Sequence, residues 1–446
     1  MISSIDVCRP RSGWVCRLSP LVACLLLGLS SVISGTAHAQ TAEGPGSNGP
    51  VPIVSAQMRA IDLVQPALVW VRVDWEAFVL TDKGAIKASF EYGCSGFTVN
   101  PDGYIVTAGH CIDDGMEGGG QRTAVEYAVD ELIAGGRIRR SDRKRLIDAV
   151  MRGDIRWEIE GTGPGSRPDR VVHVQIGGGD LQWRDNAEPA AGVPARVLDF
   201  LPWGEGEVAL LKVEKNLPVA LLVPKSNIQV GQELLSIGYD PASATATNTV
   251  TVSGRNGKVK SIDSTAVNRP SNHFYETSAR LTPGMSGGPS VNLQGQAVGL
   301  NSLRTEEGRP YIIPSFQVLE MLNRDNVKNE QGRLDLLYRE GLDKYYRGYH
   351  SDAIKYFDQV LAVLPQHKQA MDKKALAADL RQRFGDQPKP VPPPPGGSGW
   401  GIPVIAAGLA LSMISVLFGG WWWRRRRLRA HRLPAGDGSI QPRRER

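Results

Sequence analysis

The central part of this 446-residue chain, residues 40–423, has no excess of positive charge, although the whole chain has a net charge of +6. Residues 424–446 hold nine arginines against two carboxylates, a net charge of +7, and residues 1–39 hold three arginines against one, a net charge of +2. Subtracting both ends from +6 leaves −3 for residues 40–423. Proteins that bind nucleic acid carry a basic surface on the folded domain. The chain is therefore not predicted to bind nucleic acid.

The N-terminus has the composition of a targeting segment. Residues 1–39 contain three arginines, then the apolar run LVACLLLGLSSVIS, then the small residues Ala37 and Ala39 before Gln40. This order of charged, apolar and small-residue regions predicts a cleaved secretory signal peptide, with an uncleaved anchor as the alternative. Residues 40–52 (QTAEGPGSNGPVP) are predicted to be a flexible lead-in.

A long run without charge occurs near the C-terminus. Residues 400–423 contain no charged side chain, and tryptophans lie at both ends of the run. About 20 such residues suffice to cross the hydrocarbon core, and the arginines that follow indicate the cytoplasmic side. The sequence therefore predicts a single transmembrane helix and a basic cytoplasmic tail at 424–446. The rest of the mature chain would lie in the periplasm or outside the cell.

Cysteine is scarce, and cleavage of the predicted signal peptide would leave fewer cysteines in the mature chain. Removal of the signal peptide takes three of the five cysteines, so the mature chain keeps Cys94 and Cys111. An isolated pair in an oxidising compartment usually forms a disulfide. Two cysteines without a nearby cluster of histidines make a poor zinc site. No motif indicates a metal ion or an organic cofactor.

Short β-rich runs separated by glycine-containing turns fill residues 53–327. They include ALVWVRVDW, SGFTVN, GYIVTA, VALLKV and QAVGLNS, and NPDG between two of them predicts a hairpin turn. Residues 120–152 differ, because apolar residues recur at helical spacing around Val125 and Leu146, with Ser141 as a candidate cap. We therefore expect an all-β domain with a two-helix insertion. The basic stretch RIRRSDRKR within it is either a solvated helix face or a docking site for a partner or a lipid headgroup.

Residues 333–384 are predicted to be helical. Four residues stand at offsets typical of a tetratricopeptide (TPR) helix pair, namely Gly341, Ala353, Phe357 and Pro365. Only one full unit is present, so a third helix and a neighbouring surface must cover its apolar face. We expect this TPR-like unit to bind a protein partner or another protomer, not to contribute to bond cleavage. The segment 385–399, rich in proline and glycine, is predicted to be a stiff linker.

Two short motifs carry the candidate chemistry. Ser286 lies in GMSGGP, and His110 follows a predicted strand in TAGHC. A serine hydroxyl is a weak nucleophile until a base takes its proton, and that base needs an acid to orient it. The other histidines of the exported part fall in ordinary strand, loop or helix contexts, which leaves His110 as the candidate base.

TAGHC, GMSGGP and YIIPS, in this order, resemble the trypsin/chymotrypsin-like serine proteases, and within them the bacterial trypsin-like and HtrA-type branch. The resemblance covers roughly residues 60–320 and implies two six-stranded β-barrels with the active site between them. It implies His110 as general base, Ser286 as nucleophile, and the N–H groups of Gly284 and Ser286 as the oxyanion hole. The cysteine pair matches the bridge that brackets the histidine loop in this family.

The third catalytic residue departs from the family pattern. The family places aspartate just before an apolar strand, whereas GEVALLKVE puts Glu207 there. Glutamate carries the same charge on one extra methylene, so it can hold the histidine tautomer if the backbone shifts slightly. Asp199 in VLDFLPW is the main rival for this role, and Glu205 is a weaker one.

Arg280 lies six residues before the nucleophile, where the family often sets the base of the S1 pocket. A buried arginine there would favour an acidic P1 side chain through charge pairing. The alternative is that Arg280 points elsewhere and the pocket is shallow and apolar.

The leading hypothesis is a membrane-anchored serine endopeptidase outside the cytoplasm, which cleaves polypeptides through an acyl-enzyme on Ser286. Its role would be envelope protein quality control or regulated proteolysis. The alternative is a catalytically weak or inactive peptide-binding scaffold that acts through its TPR-like unit. The unusual Glu207 is the feature that favours this alternative.

Overall fold

The computed structural model describes residues 54–115, 119–182, 192–202, 205–224, 228–241, 249–263, 274–304 and 309–389. The predicted signal peptide, lead-in, apolar run at 400–423 and basic tail lie outside these residues. Within the described ranges, no helix combines the length and the apolar character needed to cross a membrane.

Strands dominate the described chain between the first helix and residue 314, as the alternating sequence pattern predicts. They are β1 (Leu68–Thr81), β2 (Gly84–Asn100), β3 (Tyr104–Ala108), β4 (Glu158–Glu160), β5 (Asp169–Ile176), β6 (Leu181–Gln182), β7 (Val193–Leu201), β8 (Val208–Lys212), β9 (Glu233–Asp240), β10 (Thr249–Asp263), β11 (Phe274–Thr277), β12 (Pro289–Val291), β13 (Ala297–Arg304) and β14 (Arg309–Pro314). The NPDG turn is confirmed between β2 and β3, where Gly103 has φ 88° and its N–H donates to the carbonyl oxygen of Asn100 at 3.2 Å.

The strands close into two barrels of the same design. The first barrel has the strand order β1-β2-β3-β8-β7-β5, and the pairing of β5 with β1 closes it. The second barrel has the strand order β9-β10-β11-β14-β13-β12, and the pairing of β12 with β9 closes it. Each barrel carries one additional short strand, β4 beside β1 and β6 beside β10. The two six-stranded barrels implied by the resemblance are therefore present in the structure.

The helices lie at the ends of the barrels and in the insertion. They are α1 (Ala56–Val64), α2 (Gly120–Ala134), α3 (Arg143–Met151), α4 (Ser315–Arg324), α5 (Arg333–Tyr346), α6 (His350–Val363) and α7 (Lys368–Phe384). The predicted two-helix insertion is confirmed as α2 and α3. Ser141 does not cap α3, because it lies in a 3-10 turn before the helix, where Asp142 takes the cap position without a side-chain bond.

The insertion packs on the long β1–β2 hairpin. These strands pair from Leu68 opposite Phe97 to Thr81 opposite Gly84, so the hairpin extends well beyond the barrel. Apolar residues of α2 and α3, with Trp157, form a separate core against Ala77 and Val79 of β1. This core is large enough to hold the insertion in one position, since its members are almost fully buried.

Helices α5–α7 pack on the barrels and belong to the same compact unit, which extends to Gln387. Gly341 of α5 allows the close approach that the sequence predicts, because a Cβ atom there would lie 2.6 Å from the ring of Phe357 in α6. The core of these helices also includes Leu63 of α1 and Val54 before it. The face that one helix pair leaves uncovered is thus covered in part by α7 and α1.

Residues 325–335, which connect α4 to the first turn of α5, bind to both the first barrel and the connection between the barrels. Asn329 donates to the carbonyl oxygen of Val99 at 2.7 Å and accepts from the N–H of Leu222 at 2.7 Å. Asp335 accepts from the N–H of Val219 at 2.7 Å. Burial raises the pKa of Asp335 to about 6, although its backbone hydrogen bonds oppose the shift.

Candidate active site

His110 follows β3 in a single 3-10 turn. Its neighbour Cys111 is bonded to Cys94 of β2, with the two Cα atoms 6.4 Å apart, as the sequence predicts. Gly109 has no room for a side chain, because a Cβ atom would lie 2.1 Å from the carbonyl oxygen of Leu201. The backbone of the histidine is therefore fixed on both sides.

Glu207 lies directly before β8, whose first residue, Val208, pairs with Ala108 at the end of β3. Its Oε1 atom is hydrogen-bonded to Nδ1 of His110 and accepts from Oγ of Ser302 at 3.1 Å. The side chain is fully buried, and Oε2 has no partner among the described residues. Since a carboxylate only accepts, Nδ1 carries the imidazole proton and Nε2 is the basic nitrogen.

The backbone at Glu207 is unusual. Its φ angle is 61°, and Gly206 before it has φ 148°. The N–H groups of Glu205, Gly206 and Glu207 all donate to the carbonyl oxygen of Pro202, at 2.9, 3.2 and 3.1 Å. A residue other than glycine with positive φ is uncommon and is often found at functional sites.

The two rival carboxylates lie elsewhere. Asp199 sits on β7 opposite Leu210 and forms an ion pair with Arg324, with one Nε–Oδ2 distance of 3.0 Å. Glu205 is exposed at the turn before Glu207. The structure therefore brings Glu207, and not Asp199, to His110.

Ser286 lies in a tight turn on the second barrel. The N–H of Met285 donates to the carbonyl oxygen of Thr282 at 3.0 Å, and the N–H of Gly287 donates to that of Asn301 at 2.7 Å. Gly284 and Gly287 have φ angles of 99° and 84°, which favour glycine. The glycines of GMSGGP thus shape the turn that presents Ser286.

This turn is held against the histidine loop of the first barrel. The carbonyl oxygen of Ser286 accepts from the N–H of Ser95 at 2.8 Å, and Oγ of Ser95 donates to the carbonyl oxygen of Gly284 at 2.7 Å. A Cβ atom on Gly287 would lie 2.9 Å from the backbone nitrogen of Ala108, two residues before His110. The turn that carries Ser286 therefore packs against the end of β3, directly before the 3-10 turn of His110.

The hydroxyl of Ser286 is bonded within its own barrel. Its Oγ atom accepts from the N–H of Leu303 at 3.2 Å, and no hydrogen bond joins it to His110 in the described part of the chain. Catalytic hydrogen bonds are often long or poorly aligned in a free enzyme and tighten around the substrate.

Two N–H groups of the Ser286 turn form no hydrogen bond within the described protein. Within the described ranges, the backbone N–H groups of Gly284 and Ser286 donate to no acceptor of the chain. Unpaired donors of this kind at a serine turn are what an oxyanion hole consists of.

Ser302 and Ser95 contribute to the site, although the sequence motifs do not include them. Ser302 is 1% exposed on β13 and bonds to Glu207, and Ser95 is fully buried at the contact between the barrels. A buried hydroxyl needs a partner, but neither SGFTVN nor GLNS shows that its serine is buried, so the sequence holds no signal for these two residues.

The surroundings of His110 raise the pKa of its imidazole. Burial alone would lower this pKa, but the charge and hydrogen bond of Glu207, with a smaller contribution from Asp113, raise it above its ordinary value. Asp113 is itself buried, which raises its pKa, and its Oδ1 accepts from the N–H of Gly115 at 2.7 Å. The protonated imidazole is thus stabilised at this site.

Arg280 does not form a buried base of a pocket, because its side chain is exposed. The buried residues beside it are apolar, and Ala279, Leu281 and Met285 form a small cluster with Leu303. The structure therefore gives no support for an acidic P1 preference set by a buried Arg280.

One cluster has the side chains of a metal site. Donor atoms of Cys94, His110 and Cys111 lie within 4.8 Å of one another. Both sulfur atoms are engaged in the disulfide, so they cannot act as thiolate ligands. The described cluster is explained by the disulfide beside the histidine.

Comparison with known proteins agrees with this geometry. Residues 164–300, which include Glu207 and Ser286, match a family model described as "Trypsin-like peptidase domain". The double barrel agrees with this match, so residues 164–300 are similar to trypsin-like peptidase domains.

The chain is similar to serine proteases of the HtrA type. It is 33% identical over 132 residues to "Serine protease HTRA4" of Homo sapiens, which covers 28% of this chain and 26% of that protein. It is 31% identical over 131 residues to "Serine protease HTR4" of Bos taurus (28% and 26%), and 27% identical over 133 residues to "Serine protease HTRA1B" of Danio rerio (29% and 27%). The matched part thus spans about a quarter of the length of these relatives.

Proposed function

We propose that this chain is a serine endopeptidase in which Ser286 is the nucleophile, His110 the general base and Glu207 the residue that orients the histidine. The hydrogen bond between Nδ1 of His110 and Glu207, in a loop held against the Ser286 turn, is the observation that carries this proposal. The similarity to serine proteases of the HtrA type supports polypeptides as substrates.

The reaction follows from the positions of the atoms. Nε2 of His110 accepts the proton of Ser286 as Oγ attacks the carbonyl carbon of a substrate peptide bond. The N–H groups of Gly284 and Ser286 donate to the oxyanion that forms. His110 then gives its proton to the leaving amine, which leaves an acyl-enzyme, and water attacks this ester with His110 again as base. Glu207 stabilises the imidazolium in both steps.

A fluorophosphonate probe tests the proposal directly. We expect the purified full-length chain to react with the probe at Ser286, because this reagent phosphonylates only an activated serine. Ser286→Ala should abolish labelling and cleavage of unstructured polypeptides without changing the thermal midpoint. The alternative is the peptide-binding scaffold, and the bond from Leu303 to the Ser286 hydroxyl is the observation that favours it. A folded wild-type chain that neither labels nor cleaves any polypeptide would favour that scaffold.

The pH dependence of cleavage should reflect the raised pKa of His110. The base must be neutral, so we expect kcat/KM to fall as the pH drops through a midpoint above the ordinary histidine value of about 6.5. In Glu207→Gln the residual activity should show this midpoint at lower pH, because the attraction that raises the pKa is gone. An unchanged midpoint in the variant would assign the titration to another group.

We also propose that the catalytic domain faces the periplasm or the cell exterior and that residues 400–423 anchor it as a single-pass membrane protein. The charge pattern at both ends of the sequence supports this topology. A reporter fused after Arg446 should be active only in the cytoplasm. Cys94 and Cys111 should react with a thiol reagent only after reduction, and two freely reactive thiols would contradict export.

Helices α5–α7 are proposed to bind a protein partner or a second protomer as a TPR-like unit. The close contact of Gly341 with Phe357 agrees with the spacing of a TPR helix pair. Large apolar side chains also remain exposed on each helix, namely Leu336, Val363 and Leu376. Envelope protein quality control or regulated proteolysis is the setting proposed for this activity.

A further inference from the structure

A cationic surface lies where the turn of the β1–β2 hairpin meets the α2–α3 loop. We call it the tip patch, and its members are Lys83, Arg137, Arg139 and Arg140. All four side chains are exposed. Residues 137–145, which comprise the end of the loop and the first turn of α3 and are together called the loop segment, hold five arginines and one lysine against a single carboxylate, Asp142.

The side chains of the tip patch differ from the neighbouring cations in their ion pairs. The other three cations of the loop segment are paired, Arg143 with Asp130, Lys144 with Asp148 and Arg145 with Asp142. The four patch residues form no ion pair within the described ranges, including none with the nearby Asp82 and Glu131. Because its four cations form no ion pair with a described carboxylate, the patch can bind an anion.

The patch is built from two chain segments that hold each other in place. Nζ of Lys83 donates to the carbonyl oxygen of Arg137 at 2.9 Å, and the guanidinium of Arg137 donates to that of Lys83 at 3.1 Å. These bonds engage main-chain oxygens, so they fix the side chains of Lys83 and Arg137 without neutralising them and hold the backbone just before Arg139 and Arg140. A side chain that is already fixed loses less conformational freedom when it binds a carboxylate.

The patch is connected rigidly to the histidine loop through α2. The N–H of Gly120, at the start of this helix, donates to the carbonyl oxygen of Asp113 at 2.9 Å, and a Cβ atom there would lie 2.8 Å from the ring of Trp75. Arg170 of β5 donates to the carbonyl oxygen of Ile112. The 15 residues of α2 span about 22 Å, a distance that about seven residues of extended peptide can cover.

We propose that the tip patch is an exosite that binds an acidic stretch of a polypeptide substrate, about seven or more residues from the bond that is cleaved. This inference rests on the proposed endopeptidase function. Arginine forks match carboxylates in geometry as well as charge. A substrate segment is favoured over a lipid surface because α2 joins the patch to the backbone of Asp113, three residues after His110.

The test compares two substrates that share one cleaved sequence. Both substrates start from an unstructured polypeptide that the full-length chain cleaves. At its N- or C-terminus we add a seven-residue glycine-serine spacer, followed by five acidic residues in one version and five glutamines in the other. We expect kcat/KM to be about 3- to 10-fold higher for one acidic version at low salt, since exposed ion pairs are individually weak. The preference should disappear near 0.5 M salt, where the screening length is only a few ångströms.

Arg139→Gln/Arg140→Gln should remove this preference while leaving cleavage of the glutamine version unchanged. The matched control is Arg381→Gln/Arg383→Gln on α7, which removes the same charge far from the patch and should keep the preference. Equal loss in both double variants would show a nonspecific charge effect and overturn the exosite. So would a wild type without any preference for the acidic substrate.

A binding measurement separates this inference from the proposed function. Fluorescence anisotropy of a labelled acidic peptide with the full-length Ser286→Ala chain should show salt-sensitive binding that Arg139→Gln/Arg140→Gln weakens, whether or not the wild type is an enzyme. Loss of flotation on phosphatidylglycerol vesicles in the double variant, without any peptide binding by the parent, would assign the patch to a lipid surface and contradict the proposal.

Discussion

Replacing Glu207 by glutamine should reduce turnover by up to about 10⁴-fold while the thermal midpoint changes little. In the structure, the carboxylate accepts at Oε1 from both Nδ1 of His110 and the hydroxyl of Ser302. The glutamine amide can donate its NH₂ group to Nδ1 of His110. The imidazole proton would then be on Nε2, and Nε2 could no longer accept the proton of Ser286. The measurement is kcat on an unstructured polypeptide, with fluorophosphonate labelling as a second readout.

Two further variants identify the acid. Glu207→Asp should retain substantial activity, because it keeps the charge and aspartate tolerates positive φ better than most residues. Asp199→Asn should have a mild effect, since its carboxylate pairs with Arg324 at a distance from His110. An inactive Asp199→Asn with a nearly normal Glu207→Gln would transfer the role to Asp199. Three variants that all match a weakly active parent would indicate a His110–Ser286 dyad.

Removal of residues 333–384 should unfold or aggregate the protein, and activity should be lost with the fold. The sequence predicts that these helices do not contribute to bond cleavage, and on that ground alone the deletion would leave the cleavage of small substrates nearly unchanged. The contacts change the expectation, because the deletion exposes Leu63 and removes the partners of Asp62 and of the Val219 N–H. Each large apolar side chain newly exposed costs about 1.5–3 kcal/mol, against a total stability of about 5–15 kcal/mol for a typical domain.

The matched control is a chain that ends at Gln387. It keeps the whole compact unit and lacks only residues 388–446. We expect this truncated chain to keep the thermal midpoint of the parent and its kcat/KM on a short peptide. If the chain without 333–384 also stays folded and fully active, α5–α7 are an independent module and the contacts with α1 and Val219 contribute little to stability.

The sequence was sufficient for the parts of the site that depend on local chain geometry. Turns that need glycine and an apolar strand ending at a histidine leave a pattern over a few residues, so TAGHC and GMSGGP located His110 and Ser286. The position of Glu207 before an apolar strand was equally local. Its bond to His110 depends on the β3–β8 pairing, which brings residues 97 positions apart into contact.

Features that depend on packing between distant segments could not be recognised in the sequence. Ser302 and Ser95 resemble any other serine in a strand until the barrels are assembled. The function of α1 as a cover for α5–α7 requires both surfaces at once. Ser141 was a reasonable cap by residue type, but the 3-10 turn placed Asp142 at that position. The exposure of Arg280 likewise depends on loop geometry that spacing from Ser286 does not determine.

The division of the site between the barrels has a practical consequence. His110 and Glu207 belong to the first barrel and Ser286 to the second, and the hydrogen bonds of Ser95 join them. Neither half contains a complete set of reactive groups, so stoichiometric titration of Ser286 counts molecules whose halves are correctly assembled. Under partial denaturation, the titratable fraction should therefore fall before the circular dichroism of the strands does. An active-site titrant would then serve as a conformational probe of the contact between the two barrels.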